Sequence, residues 1–248
     1  MGSKRLPDKA TKNLCGQSVI EHIIERLLRV KELDGIVLAT TDNSKDDILE
    51  DMARKWKIGC FRGPESDVLG RLHGVALQFK ADAILRITGD SPLIDLDLVN
   101  QVALEFRQRA GEIDFLTTAL SLVFPEGCSM EVVSQSLLDR LNEELKNPEE
   151  RESFMIHISR YPEKFHRYVL GWPKDYSHIR LTLDYPEDFE LVKKIYEHFF
   201  KIGKRFFSLS EAVKFLDANP ALIKINQHYI DKTKYPYNLD DRAVKKAI

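Results

Sequence analysis

The sequence has 248 residues, 43% hydrophobic and 31% charged, with a formal net charge of −2. That length suits one large domain able to bury about three quarters of its unfolded surface without disulfide or metal staples. The balance of charge excludes a broad basic field for nucleic acid, and no run of about 18 apolar residues marks a membrane span or a signal core.

Cys15, Cys60 and Cys128 lie far apart with no CxxC spacing, and the seven histidines form no HExxH. A reduced, cytoplasmic protein is the expectation.

The chain opens on MGSKRLPDK, a small-residue turn carrying Lys4, Arg5 and Lys9. SVIEHIIERLLRV (18–30) then places Val19, Ile23, Leu27 and Val30 at helical spacing. GIVLATT (35–41) is a continuous apolar run, as expected of a strand covered on both faces. In SKDDILEDMARKW (44–56), Ser44 is the expected cap of a helix with an acidic first turn. Next come a short strand at GCFRG, a helix over 67–79, a strand at AILRIT (83–88), a helix over 97–110 and a strand over 114–120.

This alternation predicts right-handed βαβ units and a mostly parallel sheet. The rhythm then changes. A strand at 130–134, helices at 135–145 and 152–161, and strands at 164–172 and 180–184 precede a helix over 186–200. Two further helical stretches, near 208–217 and 220–230, end in a polar tail. The expected organisation is one α/β domain over 1–248 with a smaller α+β insertion at about 121–178.

Ligands of doubly wound sheets sit beyond the carboxyl ends of the strands. Those ends carry Asp42, Asp90 and Asp184. With a period of two, Arg86, Thr88 and Asp90 project to one side, and Arg180, Thr182 and Asp184 repeat the arrangement. An arginine on a covered strand needs a partner, so a crevice holding both signs of charge is implied. A magnesium–phosphate site meets that demand: carboxylates bind the hard cation and cations bind the phosphate.

The residue types alone leave other roles open. Asp184 precedes Tyr185 and Pro186 at a helix start, where capping competes with metal binding. GDSPLID is also ordinary turn composition, with Asp95 or Asp97 as a cap, and Asp42 suits an Asx turn. The basic opening matches neither GxGxxG nor GxxxxGK[ST], and its cations also suit a solvated loop. His157, His178 and Cys15 are expected to be inert or structural.

Taken in order, MGSKRLPDKATKNLCGQSVIEHIIERL, VLATTDN, FRGPESDVLGR, RITGDSPLIDLDLV, FPEGCSMEVVS, RYPEKFHRY, RLTLDYPEDFELVKKIYEHF and NPALIKINQHY cover nearly the whole chain. The series resembles the cytidylyltransferase family, in the branch of the spore coat polysaccharide biosynthesis protein SpsF, related to CMP-Kdo and CMP-sialic acid synthetases. The resemblance implies a nucleotide-diphospho-sugar transferase fold, a Rossmann-like sheet with a smaller part that often helps form homodimers. It also implies a reaction in which a sugar or sugar-acid oxygen attacks the α-phosphorus of a nucleoside triphosphate, CTP foremost, and pyrophosphate leaves.

Further roles follow from the resemblance. Ser3, Arg5, Lys9 and Lys12 would cradle the triphosphate, with Asp42 and Arg86 beside the nucleotide. Asp90 and Asp184 would hold Mg2+. Together with Arg5 and Lys9 they form the expected catalytic set. Ser66, Asp67, Arg71, Glu131 and Arg180 would face the substrates.

Two departures stand out. The family places a strand reading IIQAR before the loop, whereas this sequence opens inside the motif, so the first strand is expected to be missing. Ser153 stands where the family has a substrate-side histidine. A non-catalytic nucleotide-binding homologue, and a glycosyltransferase using DLD (95–97) as a DxD motif, are the rival expectations.

Overall fold

Polar side chains placed before apolar, helix-periodic stretches set where the helices start. Ser18, Asp67, Asp95, Ser134 and Ser208 each accept a hydrogen bond from an N–H of the first turn that follows, which satisfies a donor the helix itself leaves unpaired. The computed structural model describes residues 5–230 and the backbone of a short strand, Val244–Lys246. Ser3 therefore lies outside the described residues.

A tight hairpin, β1 (Asn13–Leu14) and β2 (Gln17–Ser18), comes first and was not anticipated. Its turn residues Cys15 and Gly16 have φ of 52° and 97°, the left-handed pair that suits a two-residue hairpin turn. The elements that follow are α1 (Val19–Leu27), β3 (Val37–Thr41), α2 (Asp47–Trp56), β4 (Gly59–Gly63), α3 (Val68–Phe79), β5 (Ala83–Arg86) and α4 (Leu96–Gln108). The second half holds β6 (Phe115–Thr117), β7 (Glu131–Ser134), α5 (Gln135–Glu144), α6 (Pro148–Glu152), α7 (Phe154–Arg160) and β8 (Arg167–Gly171). It ends in α8 (Pro186–Lys201), α9 (Leu209–Ala218), α10 (Pro220–Ile223) and β9 (Val244–Lys246).

The fold is α/β, as expected. β3 and β4 pair in parallel, from Val37 opposite Gly59 to Thr41 opposite Gly63. A second sheet runs β5-β7-β6-β8-β9. Its β6/β8 and β8/β9 pairs are parallel, while β7 lies antiparallel between β5 and β6. No ladder joins the two sheets among the described residues. Helices join them instead. α3 packs against β3, β4 and β5, and Ile20 of α1 touches both the main apolar core and the smaller cluster around Leu38.

Several boundaries differ from expectation. Ser44 does not cap the helix. Asn43 caps a 3-10 turn over Ser44–Asp46, and the α-helix begins at Asp47. β5 stops at Arg86 because the chain turns there, with Ser91 N donating to Thr88 O at 3.2 Å. The helix expected over 152–161 breaks at Ser153, whose hydroxyl donates to Glu149 O. Residues 180–184 form no ladder; Arg180 makes one isolated bridge, to Glu126. The helix expected over 220–230 splits into α10 and a 3-10 turn, Gln227–Tyr229, with buried Asn226 between them. No helix among the described residues is long and apolar enough to cross a membrane.

Glu21, in the first turn of α1, anchors that helix to α2. It accepts from Ser18 N (3.1 Å), Ser18 Oγ (2.7 Å), Lys55 Nζ (2.6 Å) and Trp56 Nε1 (3.3 Å). Burial disfavours its charge, but Lys55, Ser18 and Trp56 outweigh burial and bring the carboxyl down to about 2. A carboxyl depressed by folding contributes stability above its unfolded pKa and loses it as pH falls toward the folded value. The wild type's resistance to urea should therefore fall between about pH 5 and pH 2, and Glu21→Gln should flatten part of that slope. Parallel pH curves for the two proteins would refute this reading.

Candidate active site

Two loop tips meet at one ammonium group. Lys9 Nζ donates to Asp90 Oδ2 at 2.7 Å and to Asp184 Oδ1 at 3.0 Å. Asp90 sits in the turn after β5, and Asp184 lies just before α8. A backbone hydrogen bond, Leu183 N to Asp90 O at 3.0 Å, holds the two tips in register. The two carboxylates that the sequence places at separate strand ends thus share one cation.

Lys9 reaches them from a 3-10 turn, Lys9–Thr11, set up by Asp8 in the left-handed conformation (φ 55°). Burial opposes the charge on Lys9, but Asp90 and Asp184 outweigh it and hold the ammonium above the usual lysine range. Asp184 moves the opposite way. Burial alone would raise it; Lys9, Arg5 and Arg180 hold it below the usual carboxylate range. Arg5 stands at the rim. It donates to Tyr185 Oη at 3.1 Å, lies 3.3 Å from Asp184, and has its guanidinium over the Tyr185 ring.

Beneath Asp184 lies Arg180, only 3% exposed. It donates to Asp188 through Nε (2.9 Å) and Nη2 (3.0 Å), to Asp184 through Nη2 (3.1 Å), and pairs with Glu126 through Nη1 (2.6 Å). Burial opposes this charge as well, and Asp188 and Glu126 more than restore it. Gly127, with φ of 91°, fits Glu126 into place: a Cβ there would lie 2.4 Å from Thr182 N. Arg180, expected to bind substrate, is committed to the protein's own carboxylates.

The question of capping is answered by Asp188. Its Oδ2 accepts from Asp184 N and Tyr185 N, both at 2.9 Å, so it closes the start of α8. Asp184 keeps its carboxylate for Lys9, Arg5 and Arg180. Asp95 is a cap: its two oxygens accept from Leu98 N (3.0 Å) and Leu209 N (2.6 Å). With both oxygens so engaged, Asp95 is committed to the protein's own backbone, and DLD stands at a helix start.

The other expected residues fall outside this cluster. Asp42 is exposed; the carboxylate gathered at the end of β3 is that of Asp46, which accepts from Thr40 Oγ1 (2.7 Å), Thr41 N (3.2 Å) and Thr41 Oγ1 (2.7 Å). Lys12 lies over the Phe189 ring. Arg86 pairs with Glu131 across β5 and β7 at 3.2 Å, and burial keeps Glu131 above the usual carboxylate range.

Ser66 is exposed. Asp67 caps α3 and accepts two bonds from Arg151, at 3.0 and 2.9 Å. Arg71 donates to the carbonyls of Pro64 and Glu65, and burial holds it below the usual arginine range. His157 packs on Tyr161 and Phe165, and His178 is exposed. Sequence reasoning missed Asp46, Glu126 and Asp188. For Asp188 a signal existed: an acid three residues after Tyr185 is a capping-box position.

No group of three or more His, Cys, Asp or Glu side chains among the described residues is arranged to hold a metal ion. A cation at this site would rest on two carboxylates. Mg2+ is commonly held by one or two, with phosphate oxygens and water completing its shell.

The cytidylyltransferase family profile matches residues 1–206. The spore coat polysaccharide biosynthesis protein SpsF of Bacillus subtilis is 30% identical over 228 residues, covering 89% of this chain and 92% of that protein. A solved cytidylyltransferase from Leptospira borgpetersenii serovar Hardjo-bovis superposes with a TM-score of 0.85 at 32% identity, covering 90% of this chain and 92% of that one. CMP:2-keto-3-deoxy-manno-octonic acid synthetase, solved with CTP, shares the fold at 16% identity, with a TM-score of 0.60 over 79% of this chain and 95% of that one. The chain has the nucleotide-diphospho-sugar transferase fold, and it belongs to the cytidylyltransferase family of nucleotidyltransferase enzymes.

Proposed function

We propose that the protein is a Mg2+-dependent cytidylyltransferase that joins CMP from CTP to a sugar or sugar acid for a surface polysaccharide. The observation that carries the reading is the convergence of Asp90 and Asp184 on Lys9 Nζ. SpsF, named for spore coat polysaccharide biosynthesis, and relatives named as octulosonate cytidylyltransferases support the substrate class.

An acceptor hydroxyl oxygen attacks the α-phosphorus. The bond from that phosphorus to the bridging oxygen breaks, pyrophosphate takes the electron pair, and the hydroxyl proton passes to solvent. Such a transfer needs positioning and charge neutralisation rather than a protein nucleophile. Asp90 and Asp184 would hold the metal, which when bound supplies positive charge at the phosphate oxygens. Arg5 and Lys9 face the same region and would neutralise charge on the leaving pyrophosphate.

The charges of the cluster agree with this assignment. Asp90, Asp184, Asp188 and Glu126 stand against Arg5, Lys9 and Arg180. If Lys9 turns from the carboxylates to a phosphate, four carboxylates face Arg5 and Arg180 and two negative charges are uncompensated; if Arg5 turns as well there are three, so a divalent cation answers most of the excess. On this reading the ammonium and the metal would compete for the same two carboxylates.

Two experiments test the reading. Incubation with Mg2+, each nucleoside triphosphate and a panel of sugar acids and sugar phosphates should give pyrophosphate only when CTP and an acceptor are both present. Asp90→Asn should cut that release by about 100-fold or more. Release from a nucleotide-sugar donor, with none from CTP, would replace the proposal with a glycosyltransferase. CTP binding without turnover would mark a non-catalytic homologue. Second, Lys9→Met should bind Mn2+ more tightly than the wild type without nucleotide, by an order of magnitude or so, as read by electron paramagnetic resonance. Equal or weaker binding would show that the ammonium and the metal do not compete for one place.

A further inference from the structure

The stretch from Asn226 to Tyr229 lies beyond the segment matched by the family profile, which ends at residue 206. It nevertheless touches both halves of the site. Asn226 is fully buried. Its Nδ2 donates to the Arg180 carbonyl at 3.0 Å and to Asp188 Oδ1 at 2.8 Å. Asp188 in turn holds the Arg180 guanidinium and the Asp184 N–H, and Arg180 donates to the Asp184 carboxylate. A chain of short polar contacts therefore runs from Asn226 to one of the two carboxylates on Lys9.

Tyr229 acts on the other half. The turn that carries it is closed on Asn226, with Tyr229 N donating to Asn226 O at 3.0 Å. Its ring lies on that of Tyr185, centroids 3.8 Å apart and planes 2° from parallel. Tyr185 is the residue that Arg5 covers with its guanidinium, 4.8 Å from the ring centroid, and reaches with its hydrogen bond. Arg5 is otherwise exposed at the rim. A long side chain there loses rotamer freedom when ordered, and an aromatic plate held from behind reduces that cost when a ligand binds.

We infer that Asn226–Tyr229 is a positioning element for the nucleotide. Asn226 anchors the turn in the buried network under Asp184, and Tyr229 holds Tyr185 flat so that Arg5 stands ready for the triphosphate. Neither residue contacts the reacting atoms. The inference rests on the proposed reaction for what Arg5 binds, whereas the mechanical link from Tyr229 to Arg5 does not depend on it.

The test uses the full chain with Tyr229→Ala and, as the conservative variant, Tyr229→Phe, which keeps the ring and loses only the hydroxyl contact to Glu187 at 3.3 Å. Tyr229 is part-exposed, so the alanine variant should fold, with a melting temperature close to the wild type. Without nucleotide, hydrogen exchange in peptides spanning 5–12 and 184–190 should quicken in Tyr229→Ala and return to wild-type rates in Tyr229→Phe. In the pyrophosphate assay, Tyr229→Ala should raise KM for CTP about fivefold or more, with a smaller change in kcat, and Tyr229→Phe should restore it.

Unchanged exchange in Tyr229→Ala would overturn the link. So would equal effects from the two variants, because stacking would not be the cause. Quickened exchange with KM for CTP unmoved would overturn the role in positioning the nucleotide. If exchange behaves as stated and the wild type releases no pyrophosphate from CTP, the link stands and the proposed reaction fails.

Discussion

Arg180 is buried with almost no access to water, and a guanidinium in that state is tolerable only if its donors are met by opposite charge. Asp188 and Glu126 meet it, and Asp184 takes part of the same fork. This satisfies the arginine but concentrates negative charge just below the surface. The excess has to be answered from above, and Arg5 and Lys9 answer it. The site is therefore a stack of alternating charge, and the outermost cations are the ones free to exchange partners. Removing a carboxylate from the buried layer would leave an uncompensated charge, which costs far more than the pair itself contributes.

Asp90 enters this stack from a different part of the chain. β5 ends at Arg86, and the Thr88–Ser91 turn swings Asp90 across until its carbonyl accepts from Leu183 N. One backbone bond thus fixes the spacing between the two acidic tips. Behind them, Tyr196 of α8 donates to Pro92 O at 2.7 Å and ties the same turn to the helix that follows Asp184. The geometry that gathers the acids is set by loops pinned to each other and to a helix.

Much of this was legible in the sequence, for definite reasons. The helix starts at Ser18, Asp67 and Asp95 follow from short polar caps before apolar periodicity, which is local information. The acids Asp90 and Asp184 were found because strand ends in α/β folds collect ligands. The antiparallel course of β7 was not legible, since a four-residue strand carries no sign of its direction. Nor was the replacement of Ser44 by Asn43 as a cap, where neighbouring residues share the same chemistry. Arg180 was read as a substrate ligand because its partner Glu126 lies on a remote turn and Asp188 on the next helix. Asn226 was read as part of a helix, and its buried amide depends on tertiary contacts that no local pattern encodes.

The stretch 180–184 shows what takes the place of regular structure at such a site. Its alternation of Arg, Thr and Asp with leucines reads as a strand, and the leucines are indeed buried while Asp184 looks outward. Yet no neighbour completes a ladder among the described residues; a single bridge to Glu126 is all the sheet-like pairing it has. Its position comes from two isolated backbone bonds, Leu181 N to Glu126 O at 2.7 Å and Leu183 N to Asp90 O at 3.0 Å, and from the side chains of Asp188, Glu126 and Asn226. A ladder spreads its restraint over many equivalent backbone bonds and tolerates exchange of side chains. A segment held by two separate backbone bonds and three polar side chains has less redundancy, so each of those side chains matters to where Asp184 sits. That is the physical reason a turn some forty residues past Asp184 bears on where its carboxylate stands.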